Sequence, residues 1–260
     1  MKFMKIEKVL EIAAIGAAIA LGANGTAALA DTISVSYLAP GVQTPTTPNV
    51  ENFNNATLNP NGTFTTTFNN SGITGTYSGG FTIVPADVYG GASATGLGGP
   101  AATGDYITAE GDGTTYTLSL SQNVNYFGYW LSALDAGNQV QLLENGNVVF
   151  TFVPADLITA LGSCATPSAN AYCGNPNGGG NDPQLYAYVN FYDTNGSFNE
   201  IKYTETIPNA GYESDNHAVD VLSTGPGGTP LGAVPEPSSL MLLGTGVIGI
   251  ASTLRKKLLA

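Results

Sequence analysis

The sequence predicts an all-β protein, a β-sandwich of jelly-roll-like type, on three observations. Apolar residues recur with a period of two in segment after segment, as half-buried strands require. Clusters of Gly, Asn, Pro and Asp punctuate those segments, drawing on 34 glycines and 15 prolines. Only one short stretch, Ala155 to Leu161, has helical character. The crossover helices of a parallel α/β fold are therefore missing.

The clearest element is a hairpin from Gln139 to Phe152. Val140, Leu142 and Leu143 precede Asn145-Gly146, and Val148, Val149, Phe150 and Phe152 follow it. Asn-Gly supplies the positive φ angles of a tight two-residue turn. Tyr186 to Tyr192 alternates, with Leu185, Ala187, Val189 and Phe191 on one face and Tyr186, Tyr188, Asn190 and Tyr192 on the other. Asp193-Thr194-Asn195-Gly196 then turns the chain into a strand from Phe198 to Thr206. Tyr116 to Leu120, Val124 to Leu134 and Ala218 to Leu222 also read as strands. Pro154 opens the single helix and Gly162 stops it. Gly-rich stretches at Gly90 to Gly104 and Asn175 to Asp182 read as long loops. No repeat is detectable, which argues against propellers and solenoids.

The two ends carry an address. Lys2, Lys5 and Lys8 form a basic n-region, Ile12 to Leu21 an apolar h-region, and Ala28-Leu29-Ala30 a small-x-small cleavage pattern. Residues 1–30 are thus expected to be a signal peptide removed on export. At the other end Pro235-Glu236-Pro237 precedes an uncharged apolar run from Ser238 to Leu254, followed by Arg255-Lys256-Lys257. As a helix that run spans roughly 26 Å, near the ~30 Å hydrocarbon core. Basic side chains at its end reach the headgroups and favour the cytoplasmic side. Between the ends the sequence predicts an ectodomain over 31–222 and a flexible stalk over 223–234, rich in Thr, Pro and Gly.

Val234-Pro235-Glu236-Pro237-Ser238, the apolar run and the basic cluster, in that order, resemble the PEP-CTERM sorting signal of Gram-negative bacteria. The resemblance makes 235–257 the signal and 238–254 its transmembrane helix. It implies recognition by the membrane protease-transferase exosortase, with transient anchoring in the inner membrane. Cleavage near Pro-Glu-Pro would follow, with delivery to the cell surface or extracellular matrix, often alongside exopolysaccharide. A second likeness lies within the domain. Tyr126-Phe127-Gly128-Tyr129-Trp130-Leu131-Ser132-Ala133-Leu134-Asp135 is similar to a motif of one group of exosortase-dependent surface proteins. Tyr188-Val189-Asn190-Phe191 and Glu213-Ser214-Asp215-Asn216-His217-Ala218-Val219 fit later motifs of that group, and Asn52-Phe53-Asn54 fits an earlier one less well. This likeness implies a β-sandwich surface protein and brings no activity with it.

Charge narrows the function classes. Between residues 31 and 234 the only basic residue is Lys202, while of the 19 acidic residues only Glu7, Glu11 and Glu236 fall outside that span. Such a surface repels phosphate backbones, so nucleic acid is not an expected partner. Thirteen tyrosines and ten phenylalanines argue for a packed core rather than disorder. The two cysteines, Cys164 and Cys173, bracket a short turn-rich loop and are expected to pair in an oxidising compartment.

Catalytic signatures are sparse. The chain has no Gly-x-Ser-x-Gly elbow, Walker loop or His-Glu-x-x-His. Its one histidine, His217, is expected to be a strand-end residue with an ordinary hydrogen bond. The expectation is a non-enzymatic surface or matrix protein without a cofactor. The alternative is a glycoside hydrolase, which needs only two opposed carboxylates. Oxygen-rich turns nominate a structural Ca²⁺ through Asp112, Asp135, Asp215 and Asn216. Same-face tyrosines nominate a sugar-stacking row of Tyr186, Tyr188 and Tyr192.

Overall fold

The structure is a computed structural model that describes residues 33–45, 47, 49–57, 62–68, 71–92, 104–177 and 180–232. The expected signal peptide, Pro235-Glu236-Pro237, the apolar run 238–254 and Arg255-Lys256-Lys257 lie outside the described residues. Among the described residues no helix is long and apolar enough to cross a membrane.

Fourteen strands are described: β1 (Ile33–Tyr37), β2 (Val50–Glu51), β3 (Thr63–Thr67), β4 (Thr74–Gly79), β5 (Thr82–Val84), β6 (Tyr106–Glu110), β7 (Thr115–Val124), β8 (Tyr126–Leu134), β9 (Asn138–Glu144), β10 (Asn147–Phe152), β11 (Leu185–Asp193), β12 (Phe198–Glu205), β13 (Gly211–Asp220) and β14 (Thr229–Pro230). One α-helix, α1 (Ala155–Leu161), interrupts them, and a 3-10 turn covers Pro167–Ala169. The first sheet has the order β14-β1-β11-β8-β13-β6-β5, with β2 beside β13. The second runs β10-β9-β12-β7-β4-β3. Every pairing is antiparallel.

The sheets face each other across one apolar core. Phe127, Tyr129, Leu131, Phe191 and Val219 from the first sheet meet Tyr77, Tyr116, Leu118, Ile201 and Tyr203 from the second. Each ring so buried contributes about 1.5–3 kcal/mol. β8 and β11 lie inside the first sheet and are buried on both faces along their whole length. Period-two alternation therefore survives there as a choice between two buried environments.

The Asn145-Gly146 hairpin and α1 occupy the expected positions. Asn145 and Gly146 have φ of 50° and 80°, and Asn147 faces Glu144 across the turn. Gly162, at φ 89°, donates its N–H to the Ile158 carbonyl and ends α1. Cys164 and Cys173 are disulfide-bonded.

Two expectations change. The strand expected from Val124 to Leu134 is two strands in different sheets. Asn125 makes the crossing, donating its side-chain amide to the Leu222 carbonyl while accepting the Leu222 N–H. The stalk expected over 223–234 is docked on the domain through residue 231. β14 pairs with β1, Ser36 Oγ donates to the Gly227 carbonyl, and Leu231 is buried. The described part of the loop at 175–182 lies on the outer face of the first sheet. Asn175 and Asn177 are buried there, and the Asn175 N–H donates to the Gly180 carbonyl.

The disulfide closes a loop of sequence separation 9, worth ~2–3 kcal/mol in the chain-entropy picture. Replacing both cysteines with serine should lower the unfolding free energy by about that amount in urea titrations; an unchanged midpoint and slope would contradict it.

Candidate functional site

β13 divides the chemistry between the two faces of the first sheet. Tyr212, Ser214, His217 and Val219 enter the core, while Glu213, Asp215 and Asn216 face outward. A register shift between Asp215 and Ala218 makes this division possible. Asn216, at φ 48°, supplies the left-handed residue that such a bulge uses.

On the inner side His217 is fully buried rather than at a strand end. Its Nδ1 lies 3.0 Å from the Tyr77 hydroxyl and 3.2 Å from that of Tyr203. Its Nε2 lies 2.9 Å from Ser214 Oγ, which also meets the Tyr116 hydroxyl at 3.0 Å. Phe53 packs edge-on to the imidazole at 5.1 Å and Tyr203 stacks on it at 5.3 Å. Burial drives the imidazole pKa down to about 3, so it is neutral at physiological pH. Ser214 and His217 are within hydrogen-bond reach of each other but closed off from any substrate. The pair ties the sheets together.

The outer side is covered by loops. Asp215 is buried, accepting the N–H of Ala92 and that of Asn216. Asn216 donates its side-chain amide to the Gln43 carbonyl. The tyrosine row nominated for stacking sits under the same cover. Tyr188 is fully buried and donates to the Asn216 carbonyl; Tyr186 is 2 % exposed and donates to the Val88 carbonyl. Tyr192 packs with Tyr126 and Ala218. Because loops close over β11, the row offers no open ring face.

An open site lies beside this cover. A cleft of about 560 Å³ is lined by residues including Tyr89, Glu110, Asp135, Gln184 and Glu213. Its volume falls within the ~300–1,000 Å³ of small-ligand sites. Tyr89 is half exposed on a braced turn. Asp87 Oδ1 accepts the N–H groups of Tyr89 and Gly90 and the Tyr106 hydroxyl. Gln184 is held by its donation to the Ala133 carbonyl. Asp135 Oδ1 accepts the Gly137 N–H at the β8–β9 turn.

Two glycines make room for carboxylates around this cleft. A side chain at Gly211 would collide with the carboxyl of Glu213, and one at Gly137 with that of Glu205. Register places Glu213 opposite Thr108 on β6 and opposite Ser132 on β8. Directly opposed residues project from the same face, so the three form one cross-strand row. The hydroxyls of Thr108 and Ser132 are buried without a hydrogen-bond partner.

Desolvation pushes the Glu213 carboxyl up to about 8, with Asp135, Glu205 and Asp87 adding repulsion. Burial also raises Asp135 and Glu205, and Asp135 adds repulsion to Glu205. Near neutral pH Glu213 is therefore largely a protonated acid.

The calcium candidates are separated. Asp112 is exposed at the β6–β7 turn, Asp135 lines the cleft, and Asp215 and Asn216 are buried under the loops. Among the described residues no three His, Cys, Asp or Glu side chains gather as a metal ion needs. Sequence reasoning missed Tyr89, Gln184 and Glu213 as site residues. Glu213 stood inside a recognised motif, but a lone acid in a strand carries no mark of its surroundings.

Residues 233–256 match the family described as the PEP-CTERM protein-sorting motif. Comparison with curated proteins finds no match, and neither does comparison with solved structures.

Folding must desolvate Glu213, whose folded pKa lies above its ordinary value. The unfolded chain gives up this proton first, so the contribution is full below about pH 4.5 and is lost as pH rises toward 8. Melting temperature should fall over that window, and Glu213→Gln should flatten the slope. A slope unchanged by the substitution would contradict the assignment.

Proposed function

We propose that this chain, an exported protein carrying a PEP-CTERM sorting motif at 233–256, acts as a non-enzymatic surface or matrix protein. Exosortase sorts it through a membrane-anchored intermediate, and its β-sandwich domain then associates with exopolysaccharide. The sorting motif is the observation that carries this reading. It sends the domain to the compartment where such polymers lie. The disulfide fits an oxidising destination, and the acidic surface keeps an exported domain soluble.

On this reading residues 1–30 are removed on export, 238–254 span the inner membrane, and Arg255-Lys256-Lys257 stay on the cytoplasmic side of a Gram-negative cell. The chain passes from sheet to sheet after β2, β4, β6, β7, β8, β10, β11 and β12, which supports the jelly-roll-like description. The docking of β14 on β1 brings the folded part to within a few residues of Pro235. Residues 232–234 span at most about 11 Å when extended. The domain is therefore held close to the membrane until the chain is cut.

One observation favours the glycoside-hydrolase alternative. Glu213, Asp135 and Glu110 share a cleft, and Glu213 keeps its proton as a general acid must. Release of reducing ends from the native polysaccharide, abolished in Glu213→Gln, would establish that reading over the binding one.

Replacing Pro235-Glu236-Pro237 with three alanines should leave the uncleaved protein in the inner-membrane fraction. Fractionation and mass spectrometry of both termini, in cells with and without exosortase, check this. Normal surface delivery of the variant would refute the sorting mechanism.

A further inference from the structure

We propose that the cleft between Tyr89 and Glu213 binds a neutral or amine-bearing sugar unit and discriminates against acidic sugars. This rests on the exopolysaccharide reading and gives it a site and a substrate class that the buried tyrosine row does not supply.

The lining matches the chemistry of a polyol. Sugar hydroxyls donate hydrogen bonds, and Glu110 and Asp135 offer carboxylate acceptors at the cleft wall. Gln184 adds an amide at the same wall. Tyr89 presents a half-exposed ring on a turn fixed by Asp87. Such a ring packs against the C–H face of a pyranose while its hydroxyl stays wet. Because the turn is already braced, little ordering cost remains for binding.

The strands beside Glu213 add a second feature. Ser132 and Thr108, 0 % and 3 % exposed, stand opposite Glu213 in register, buried behind the residues that line the cleft. Neither hydroxyl has a hydrogen-bond partner. Buried hydroxyls without partners are uncommon, and here two lie in register with one acidic residue. Gly211 lacks the side chain that would displace that carboxyl. A ligand hydroxyl seated on Glu213 would hydrogen-bond its carboxyl at the cleft wall.

Charge decides among sugars. The cleft wall carries Glu110 and Asp135 beside Glu213, which is largely protonated near pH 7, with Glu205 and Asp87 close enough to perturb it. Lys202 is the only basic residue among the described ones. It lies between the inward-facing Ile201 and Tyr203 of β12, and so on the outer face of the second sheet. A uronate would enter this cleft facing like charges with no cation to offset them. A glucosamine-type amine would find acceptors.

Calorimetric titration of the mature secreted protein at pH 7 with cellohexaose, chitosan hexamer and hexagalacturonate tests this. Binding of at least one of the first two is expected, with hexagalacturonate weaker by about tenfold or more. Tyr89→Ala, a surface change, should weaken binding about tenfold. Glu213→Ala should do the same while Glu213→Gln, which keeps a donor and an acceptor, retains affinity; circular dichroism confirms that each variant is folded. Equal or tighter binding of hexagalacturonate overturns the discrimination. Unchanged affinity in Tyr89→Ala and Glu213→Ala overturns the site, as does failure to bind all three oligosaccharides. Pull-down on the producing cells' own exopolysaccharide separates the two levels. Retention there with an inert cleft removes only this inference, and no retention removes the parent reading as well.

Discussion

The bulge in β13 is the constraint on which the rest of the domain depends. β13 sits inside the first sheet, between β8 and β6. A regular strand would send alternate residues to opposite faces without exception. The extra residue at Asp215-Asn216 instead keeps two adjacent polar groups outside and returns His217 to the core. The imidazole can then hydrogen-bond through Nδ1 with Tyr77 and Tyr203 of the second sheet and through Nε2 with Ser214. A buried polar group left unpaired costs about 1–3 kcal/mol, so a shift in register would convert this tie between the sheets into a penalty.

The same strand organises the outer face. Asp215 and Asn216 anchor the segments around Ala92 and Gln43. Those segments cover Trp130, Tyr186 and Tyr188, which form an apolar cluster of their own. Two residues earlier, Glu213 lies where the cover ends and the cleft begins. One strand thus contributes the knot of the core, the fastening of the loops and the floor of the cleft. The four sequence motifs meet around it. Phe53, Phe127 and Tyr129 pack on His217, and Phe191 stacks on Phe127. Their first role is therefore to hold the sandwich together.

Much of the fold was legible because its signals are local. The Asn145-Gly146 turn, the helix between Pro154 and Gly162 and the alternation of β11 each depend on neighbours in sequence. The disulfide was legible because only two cysteines exist and lie close together. β3 and β4 were not, since runs such as Thr63–Thr67 place Thr where a core strand would carry Val or Ile. The break at Asn125 was hidden because apolar alternation continues through it and only long-range bonds to Leu222 reveal the crossing. Of the nominated site residues, Asp135 does line the cleft, whereas the tyrosine row is covered. Alternation states which side chains share a face but not whether another segment lies on top. The cleft brings together β6, the β8–β9 turn, β13 and the loops at Tyr89 and Gln184, so no window of sequence contains it.

The electrostatic state of His217 tests this account most directly. Nitrogen-15 NMR of the imidazole across pH 4 to 8 should show a neutral ring throughout, with both nitrogens hydrogen-bonded. That follows from a buried group whose pKa is driven down to about 3. A protonation step near pH 6.5 would show the ring open to water, and the β13 bulge could not then hold the two sheets in the way described.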